Sequence, residues 1–196
     1  MERNQTNPED QAKKEFTAGL IVYRNTPQGP RFLLLYHGGR YWNFPKGHIE
    51  NRSDVVASFG GDIGAVNTRE TSKEAAIRET HEETGISPEK LSIKRNFRAV
   101  EKFRFRHNRE QIFKIVIFYL AETSETEVKI SSEHEGFGWF QYKDARNILA
   151  LNKSSQRLLR NAYEQIRPRL PLRTKPNPSR PQDGPRQSPP KPSGQA

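Results

Sequence analysis

The sequence predicts an α/β domain, and three observations support this prediction. Several short segments are rich in β-branched and aromatic residues, which is typical of strands. One helix between these segments carries a clear N-terminal capping signal, and an amphipathic helix follows the last strand. At 196 residues, the chain is long enough for one sizeable domain with tails.

The first two strands are predicted at FTAGLIVYR and RFLLLYH, because these segments flank NTPQGP, a cluster of turn-forming residues. RYWNFPKGHIE follows as a short extended piece, since Pro45 keeps the residue before it out of the helical region. The glycine-rich segment after it, up to about residue 68, is predicted to be a loop.

The first helix is predicted from Thr71 to Thr84. Thr71 and Glu74 form the T-x-x-E capping box that starts a helix, and Gly85 is the usual left-handed stop. The helix contains few large apolar residues, so it is expected to pack closely on one face and to leave its other face free.

The later elements follow from their apolar patterns. LSIKRNFRAVEKFRFRH alternates apolar and basic residues and predicts a long half-buried strand, in which Glu101 lies on the apolar side. QIFKIVIFYLAE is apolar on both sides and predicts a central strand, with Lys114 as its one charged interior residue. GFGWFQ predicts a short strand, and YKDARNILALN and SSQRLLRNAYEQIR predict two helices.

Composition divides the chain into a domain and two tails. Residues 1–14 are polar and expected to be flexible, 15–167 form the domain, and 168–196 are predicted to be a disordered, proline-rich basic tail. The net charge of +10 suggests an anionic partner. The absence of cysteine excludes a disulfide scaffold and a zinc–thiolate site and fits a cytoplasmic protein. No signal peptide is apparent, and no apolar run approaches the roughly 18 residues of a membrane span.

The end of the first helix breaks a local rule. A helix C-terminus carries partial negative charge and favours basic residues, yet its last turns hold Glu79, Glu82 and Glu83 on one face. Carboxylates that repel one another become favourable when a divalent cation lies between them, and magnesium bridges such oxygen ligands to substrate phosphates. A solvated acidic face is the alternative interpretation, but the position beside a glycine stop favours a metal site.

The spacing of these residues resembles the Nudix box, G-x5-E-x7-R-E-U-x-E-E-x-G-U, in which U is apolar or threonine. Glu70 lies at the correct distance before R-E-T-H-E-E-T-G-I. Further segments, among them GLIVYR, YWNFPKGHIE, KIVIFYLAET and SSEHEGFGWF, resemble the diadenosine tetraphosphate hydrolase branch of the Nudix hydrolases. The resemblance covers roughly residues 16–165 and implies the Nudix α/β/α sandwich with a mixed β-sheet.

One departure concerns the first glycine of the box. In that branch the glycine of P-K-G-H-x-E opens the box directly, whereas here Gly47 and Glu70 are far apart in sequence. Gly64 also satisfies the spacing, but Pro45–His48 is the richer match. We therefore expect residues 51–68 to be a loop insertion, which a surface loop tolerates at low entropic cost.

The resemblance implies roles for the matching positions. Glu79 and Glu83 would be the main metal ligands, Glu82 and Glu70 would support them, and Arg78 would orient Glu79. The implied cofactor is Mg²⁺, with Mn²⁺ as the alternative. Outside the box, Glu133 is the first candidate for an additional catalytic carboxylate, and Glu101 is the second. The expected substrate-binding residues are Lys46, Lys114 and His48 for phosphate, and Tyr119, Tyr41 or Trp42 for a base.

The implied reaction is magnesium-dependent hydrolysis of a nucleoside polyphosphate, with diadenosine tetraphosphate split into ATP and AMP. Alternative substrates are ADP-ribose, an oxidised nucleoside triphosphate and the 5′-triphosphate end of RNA, for which the basic tail is a weak argument. A nucleotide-binding module without activity is a further alternative. The complete set of carboxylates argues against it, because a pure binder would repel its ligand's phosphates.

Overall fold

The computed structural model describes residues 13–50 and 70–167, so the expectations for residues 1–12, for the insertion and for the basic tail lie outside the described residues. The described part forms a seven-stranded sheet with three α-helices. The strands are β1 (Lys13–Arg24), β2 (Arg31–Tyr36), β3 (Trp42–Asn43), β4 (Lys46–His48), β5 (Ser92–His107), β6 (Glu110–Glu122) and β7 (Gly136–Gln141). The helices are α1 (Ser72–Thr84), α2 (Tyr142–Ile148) and α3 (Lys153–Ile166).

The sheet is mixed, with the order β3-β2-β1-β6-β5, while β4 pairs with β1 and β7 pairs with β2. Strands β1 and β6 run parallel from Lys13–Ile112 to Tyr23–Glu122, and the other pairs are antiparallel. Strand β6 therefore lies between β1 and β5, which explains why its sequence is apolar on both sides. This topology confirms the predicted α/β fold and the central position of β6.

Each face of the sheet has its own core. Helix α1 covers one face through its small residues Ala75 and Ala76, which pack with Leu20, Val22 and Ile117. Helices α2 and α3 cover the other face, where the buried residues include Ile21, Phe32, Leu34, Phe118, Leu120, Ala145, Leu158, Leu159 and Ala162. The result is a three-layer α/β/α sandwich, in which small side chains bring α1 close to the strands.

Both ends of helix α1 form as predicted. The Thr71 hydroxyl accepts a hydrogen bond from the Glu74 backbone N–H at 3.2 Å, and the Glu74 carboxylate accepts one from the Thr71 N–H at 2.8 Å. Gly85 ends the helix with φ of 70°. A carbonyl group of the last helical turn accepts a hydrogen bond from the loop before β7, since the Lys129 N–H donates to the Thr84 carbonyl at 2.9 Å. This contact brings that loop to the acidic end of α1.

None of the helices in the described ranges has the length and apolar character needed to cross a membrane.

Candidate active site

Arg78 is the centre of the acidic cluster on helix α1. Its guanidinium donates to the carboxylates of Glu70 at 2.7 Å, Glu79 at 2.9 Å and Glu82 at 3.0 Å. A further hydrogen bond of 3.0 Å goes to the backbone carbonyl of His48 in β4. Arg78 therefore holds three carboxylates together and connects the helix to β4, the strand that contains Lys46 and Gly47.

The backbone of β4 approaches the same helix face. The Lys46 backbone N–H donates to Glu83 Oε2 at 2.8 Å. A Cβ atom added to Gly47 would lie 1.9 Å from the Glu79 carboxyl group, so only glycine leaves room for that side chain. The structure thus places Gly47 against Glu79, whereas Gly64, the alternative first glycine of the box, lies outside the described residues.

Burial dominates the electrostatics of the two carboxylates that face β4. It raises the pKa of Glu83 to about 7, although the Lys46 backbone N–H and the Lys46 charge act in the opposite direction. The charges of Glu79 and Glu133 raise it further. Burial likewise raises the pKa of Glu79, against the hydrogen bond from Arg78. A buried and a half-buried carboxylate, whose charges are only partly compensated, form a site that favours an added cation.

Glu133 lies exposed in the turn before β7, where its negative charge acts on Glu83 and on the neighbouring His134. Glu101 is the second candidate for an additional catalytic carboxylate in the sequence analysis. Glu101 is instead buried in β5, near Ser154 and Arg157 at the start of α3. Of the two candidates, only Glu133 acts electrostatically on the carboxylates of the acidic helix.

Two histidines that sequence reasoning missed complete this region. His134 is buried, with Nδ1 at 3.1 Å from the Ser131 hydroxyl and Nε2 at 3.5 Å from Glu83 Oε1. The His37 ring centre lies 4.5 Å from that of His134. Burial, together with the charge of Lys46, lowers the pKa of His37 to about 4, so this ring is neutral at pH 7. His134, which is itself buried, thus packs against the Glu83 carboxylate.

A cavity of about 480 Å³ opens beside the acidic cluster, on the sheet face that α2 and α3 cover. Lys46 and Lys114 both line it, and burial lowers the pKa of each amine. The charge of Lys46 contributes to the lowered pKa of Lys114. The other lining residues include Tyr41, Asn43, Glu101, Phe103, Phe105, Val116 and Phe118. Two neighbouring cations next to an aromatic wall fit a ligand with an anionic part and a flat apolar part.

Two of the predicted substrate residues are placed elsewhere. The Tyr119 ring packs on the helix α1 side of the sheet, and its hydroxyl hydrogen-bonds the Ser72 hydroxyl at 2.7 Å. Tyr119, which the sequence analysis gives as a base-stacking residue, therefore does not line this cavity. The His48 ring is exposed, with Nε2 at 3.9 Å from the Glu15 carboxylate, and only its backbone carbonyl reaches the acidic cluster.

The donor set fits a hard divalent cation. Glu79 and Glu83 stand one turn apart on α1, face the side-chain-free Gly47, and offer the oxygen ligands that such ions take. As the side chains of the described residues stand, no three acidic or histidine groups converge to hold an ion. The Arg78 guanidinium pairs with Glu70, Glu79 and Glu82 at once and so holds these carboxylates in fixed positions.

Comparison with known proteins identifies the class. The model of the NUDIX domain matches residues 13–162 of the chain. The chain therefore belongs to the Nudix family. It is a hydrolase that acts on phosphoanhydride bonds of nucleoside polyphosphates, and enzymes of this family generally use divalent metal ions.

The relatives confirm the branch that the sequence resembles. The asymmetrical bis(5′-nucleosyl)-tetraphosphatase of Mus musculus is 34% identical over 137 residues, which cover 65% of this chain and 79% of that protein. The enzyme of the same name from Caenorhabditis elegans is 29% identical over 134 residues, which cover 67% of this chain and 82% of that protein.

Solved structures agree with this assignment. A binary complex of the C. elegans Ap4A hydrolase superposes with a TM-score of 0.58 at 29% identity and covers 78% of this chain and 97% of its own. The NUDIX domain of Shewanella oneidensis NrtR, in complex with ADP ribose, has a TM-score of 0.53 at 14% identity. The match covers 83% of this chain and 95% of the NrtR domain. At that identity it supports the shared fold alone.

Proposed function

We propose that this enzyme hydrolyses diadenosine tetraphosphate asymmetrically to ATP and AMP, in a reaction that depends on Mg²⁺, with Mn²⁺ as an alternative ion. The observation that carries this proposal is the lining of the cavity, in which Lys46 and Lys114 lie beside an aromatic wall and the charge of Lys46 also interacts with Glu79 and Glu83 of α1. A polyphosphate chain with an adenosine at its end matches this lining, because the lysines attract the phosphates and the aromatic wall suits the base. The names of the mouse and C. elegans relatives support the same substrate.

The carboxylates of α1 are proposed to hold the metal. Glu79 and Glu83 would be the direct ligands, while Glu82 and Glu70 would support them through Arg78. A divalent ion held by these residues would neutralise phosphate charge and would lower the pKa of a water molecule. Before it binds, Arg78 holds the Glu79 carboxylate in place, which reduces the ordering that binding requires.

The remaining groups act on the substrate. Lys46 and Lys114 would bind the phosphate oxygens and stabilise the negative charge that develops when water attacks phosphorus. Glu133, exposed beside Glu83, would accept the proton of the attacking water. The new P–O bond forms as one phosphoanhydride bond breaks, and the leaving phosphate takes up the electron pair of the broken bond.

The test is a substrate panel with purified protein, run with Mg²⁺, with Mn²⁺ and with a chelator. The panel contains diadenosine tetraphosphate, ADP-ribose, an oxidised nucleoside triphosphate and RNA with a 5′-triphosphate, and products are separated by chromatography. We expect ATP and AMP in equal amounts from diadenosine tetraphosphate, and no turnover with the chelator. Formation of ADP alone, or a higher kcat/KM for another substrate, would contradict the proposal.

A pair of lysine variants tests the phosphate site. Lys114→Met removes a cation from the cavity and is expected to raise KM for diadenosine tetraphosphate by about tenfold or more. Lys73→Met, at an exposed position in the first turn of α1, is the matched control and should leave KM unchanged. Equal effects of the two substitutions would show that overall charge, and not the cavity, controls binding.

A further inference from the structure

Glu101 is a buried carboxylate for which the proposed reaction has no use. It lies in β5 opposite Val116 of β6, is only 7% exposed, and forms part of the cavity wall. The Ser154 hydroxyl hydrogen-bonds the Glu101 carboxyl, and Arg157 contributes a positive charge. Within the described part of the chain, however, Oε1 of Glu101 has no hydrogen-bond partner.

A buried acceptor without a partner is costly, because the group has lost its water and gained nothing in return. Burial raises the pKa of Glu101, while the Ser154 hydrogen bond and the Arg157 charge act in the opposite direction and favour the carboxylate form. Such a group is tolerated where a ligand supplies the missing donor. The free oxygen belongs to a side chain that lines the cavity, so a molecule bound there is the natural source of that donor.

The surroundings of Glu101 indicate which part of a nucleotide lies next to it. Phe103 and Phe105 follow it on the same side of β5 and remain 43% and 39% exposed, although they are large apolar residues. Tyr41 is 44% exposed on another part of the same wall. Exposed aromatic rings lining a cavity are suited to stacking a nucleobase.

The polar ends of this cavity differ in charge. Lys46 and Lys114 are cationic and attract the phosphates, whereas Glu101 only repels them. A base stacked on the phenylalanine rings would present an edge to Glu101 and keep its phosphates at the lysines. A carboxylate oxygen accepts hydrogen bonds and does not donate them, so it selects an edge that carries an N–H group.

We propose that Glu101 is the base-specificity residue of this enzyme, and that its free carboxylate oxygen accepts a hydrogen bond from the exocyclic amino group of a purine. This inference rests on the proposed function, since it assigns the nucleoside end of the same substrate. In this assignment Glu101 contacts the base, whereas the sequence analysis gives it as the second candidate for an additional catalytic carboxylate.

The test compares two substrates that differ in one group. Diadenosine tetraphosphate is measured against the analogue in which purine riboside, which has no amino group, replaces each adenosine. We expect the wild-type kcat/KM to favour adenine by about ten- to a hundredfold, the range for a hydrogen bond to a charged group. Glu101→Met, similar in size but without polar atoms, should bring the ratio close to one. Glu101→Gln keeps one acceptor and should retain a ratio of a few-fold.

Ser154→Ala is the control for a purely structural role. It removes the contact between Glu101 and the start of α3 but leaves the free oxygen, so it should lower the unfolding temperature and preserve the preference for adenine. A wild-type ratio below about twofold would overturn the inference. The inference would also be overturned if Glu101→Met kept the wild-type ratio of kcat/KM values for the two substrates. If the methionine variant does not fold, the same criterion applies to Glu101→Gln.

A binding experiment separates this inference from the proposed function. AMP and purine riboside 5′-monophosphate are titrated calorimetrically into the wild type and Glu101→Met with a chelator present. If the wild type hydrolyses no dinucleotide yet prefers AMP through Glu101, the proposed function fails and the inference stands. If hydrolysis occurs but both monophosphates bind equally, or if neither binds, the inference fails.

Discussion

Glu83→Gln is expected to stabilise the protein in the absence of metal. The folded-state pKa of Glu83 is about 7, against an ordinary value of 4.5, because burial disfavours the charged form. Between these two pH values the folded protein keeps a proton that the unfolded chain has released. The free energy of unfolding therefore falls as the pH rises through this window, and it stays lower above pH 7.

The size of the effect follows from the same two values. At roughly 1.4 kcal/mol per pH unit, the difference between 4.5 and about 7 corresponds to about 3 kcal/mol at pH 8. The residue is only 7% exposed, so solvent screens little of it. Glutamine reproduces the protonated form and can still accept the hydrogen bond of the Lys46 N–H. In a chain of this length, about 3 kcal/mol corresponds to a rise of roughly 6–12 °C in Tm.

The assay is calorimetric unfolding with a chelator at pH 4 and at pH 8. At pH 4 wild-type Glu83 is protonated in the folded state and largely so in the unfolded chain, so the gain should nearly vanish. Glu82→Gln is the matched control on the same helix. Its side chain is 54% exposed and pairs with Arg78 at the surface, so its removal should change stability by less than about 1 kcal/mol.

Two results would refute this reasoning. One is a glutamine variant that is no more stable than the wild type at pH 8. The other is an equal gain at pH 4 and pH 8, which would point to packing and not to charge. Magnesium provides an independent check, because ligand binding to the folded state should raise the Tm of the wild type and leave that of Glu83→Gln almost unchanged.

Further predictions concern turnover. Glu79→Gln should lower kcat by on the order of a hundredfold or more with no loss of stability, and activity near wild type at saturating magnesium would contradict its role as a ligand. Gly47→Val should lower kcat comparably, since its side chain would displace the Glu79 carboxyl group; circular dichroism checks the fold. Deletion of residues 172–196 should leave kcat/KM for diadenosine tetraphosphate unchanged at low and at high salt. Shortening residues 53–66 to a tight turn should leave a folded, metal-dependent hydrolase, with substrate preference as the readout.

Local signals were sufficient to predict helix α1 and its acidic face. The capping box fixes where the helix begins, and Gly85 fixes where it ends. Between these points the helical period alone places Glu79 and Glu83 on one face. The burial of Glu101 could likewise be anticipated from the alternation in β5, because it occupies an apolar position between Phe97 and Phe103.

The side of the sheet on which Tyr119 lies follows from the alternation of side chains along β6, and hydrophobicity alone does not reveal it. Lys114 and Tyr119 both lie in β6, which is apolar on both sides, so hydrophobicity does not indicate which residues face the cavity. Their separation of five residues nevertheless puts them on opposite faces of a regular strand. The alternation predicts that Phe118, not Tyr119, shares the face of Lys114, as the cavity lining confirms.

His37 and His134 had no comparable local signal. They come from loops almost a hundred residues apart in sequence, and the pairing of β2 with β7 brings those loops together. The contact of His134 with Glu83 depends further on the hydrogen bond from the Ser131 N–H to the Glu83 carbonyl, at 3.3 Å. Long-range pairing of this kind is decided by the whole sheet, and no short stretch of sequence encodes it.

The long gap between Gly47 and Glu70 leaves the site intact because the two ends of the gap are joined. The Glu50 N–H donates to Glu70 Oε2 at 2.9 Å, so the described chain stops and resumes at neighbouring points. Arg78 reinforces this junction by bonding both Glu70 and the His48 carbonyl. Each doubling of a flexible loop adds only about 0.6 kcal/mol to its closure cost. The position of Glu70 is therefore fixed by its contacts with Arg78 and Glu50, and the number of residues between Gly47 and Glu70 has little influence on it.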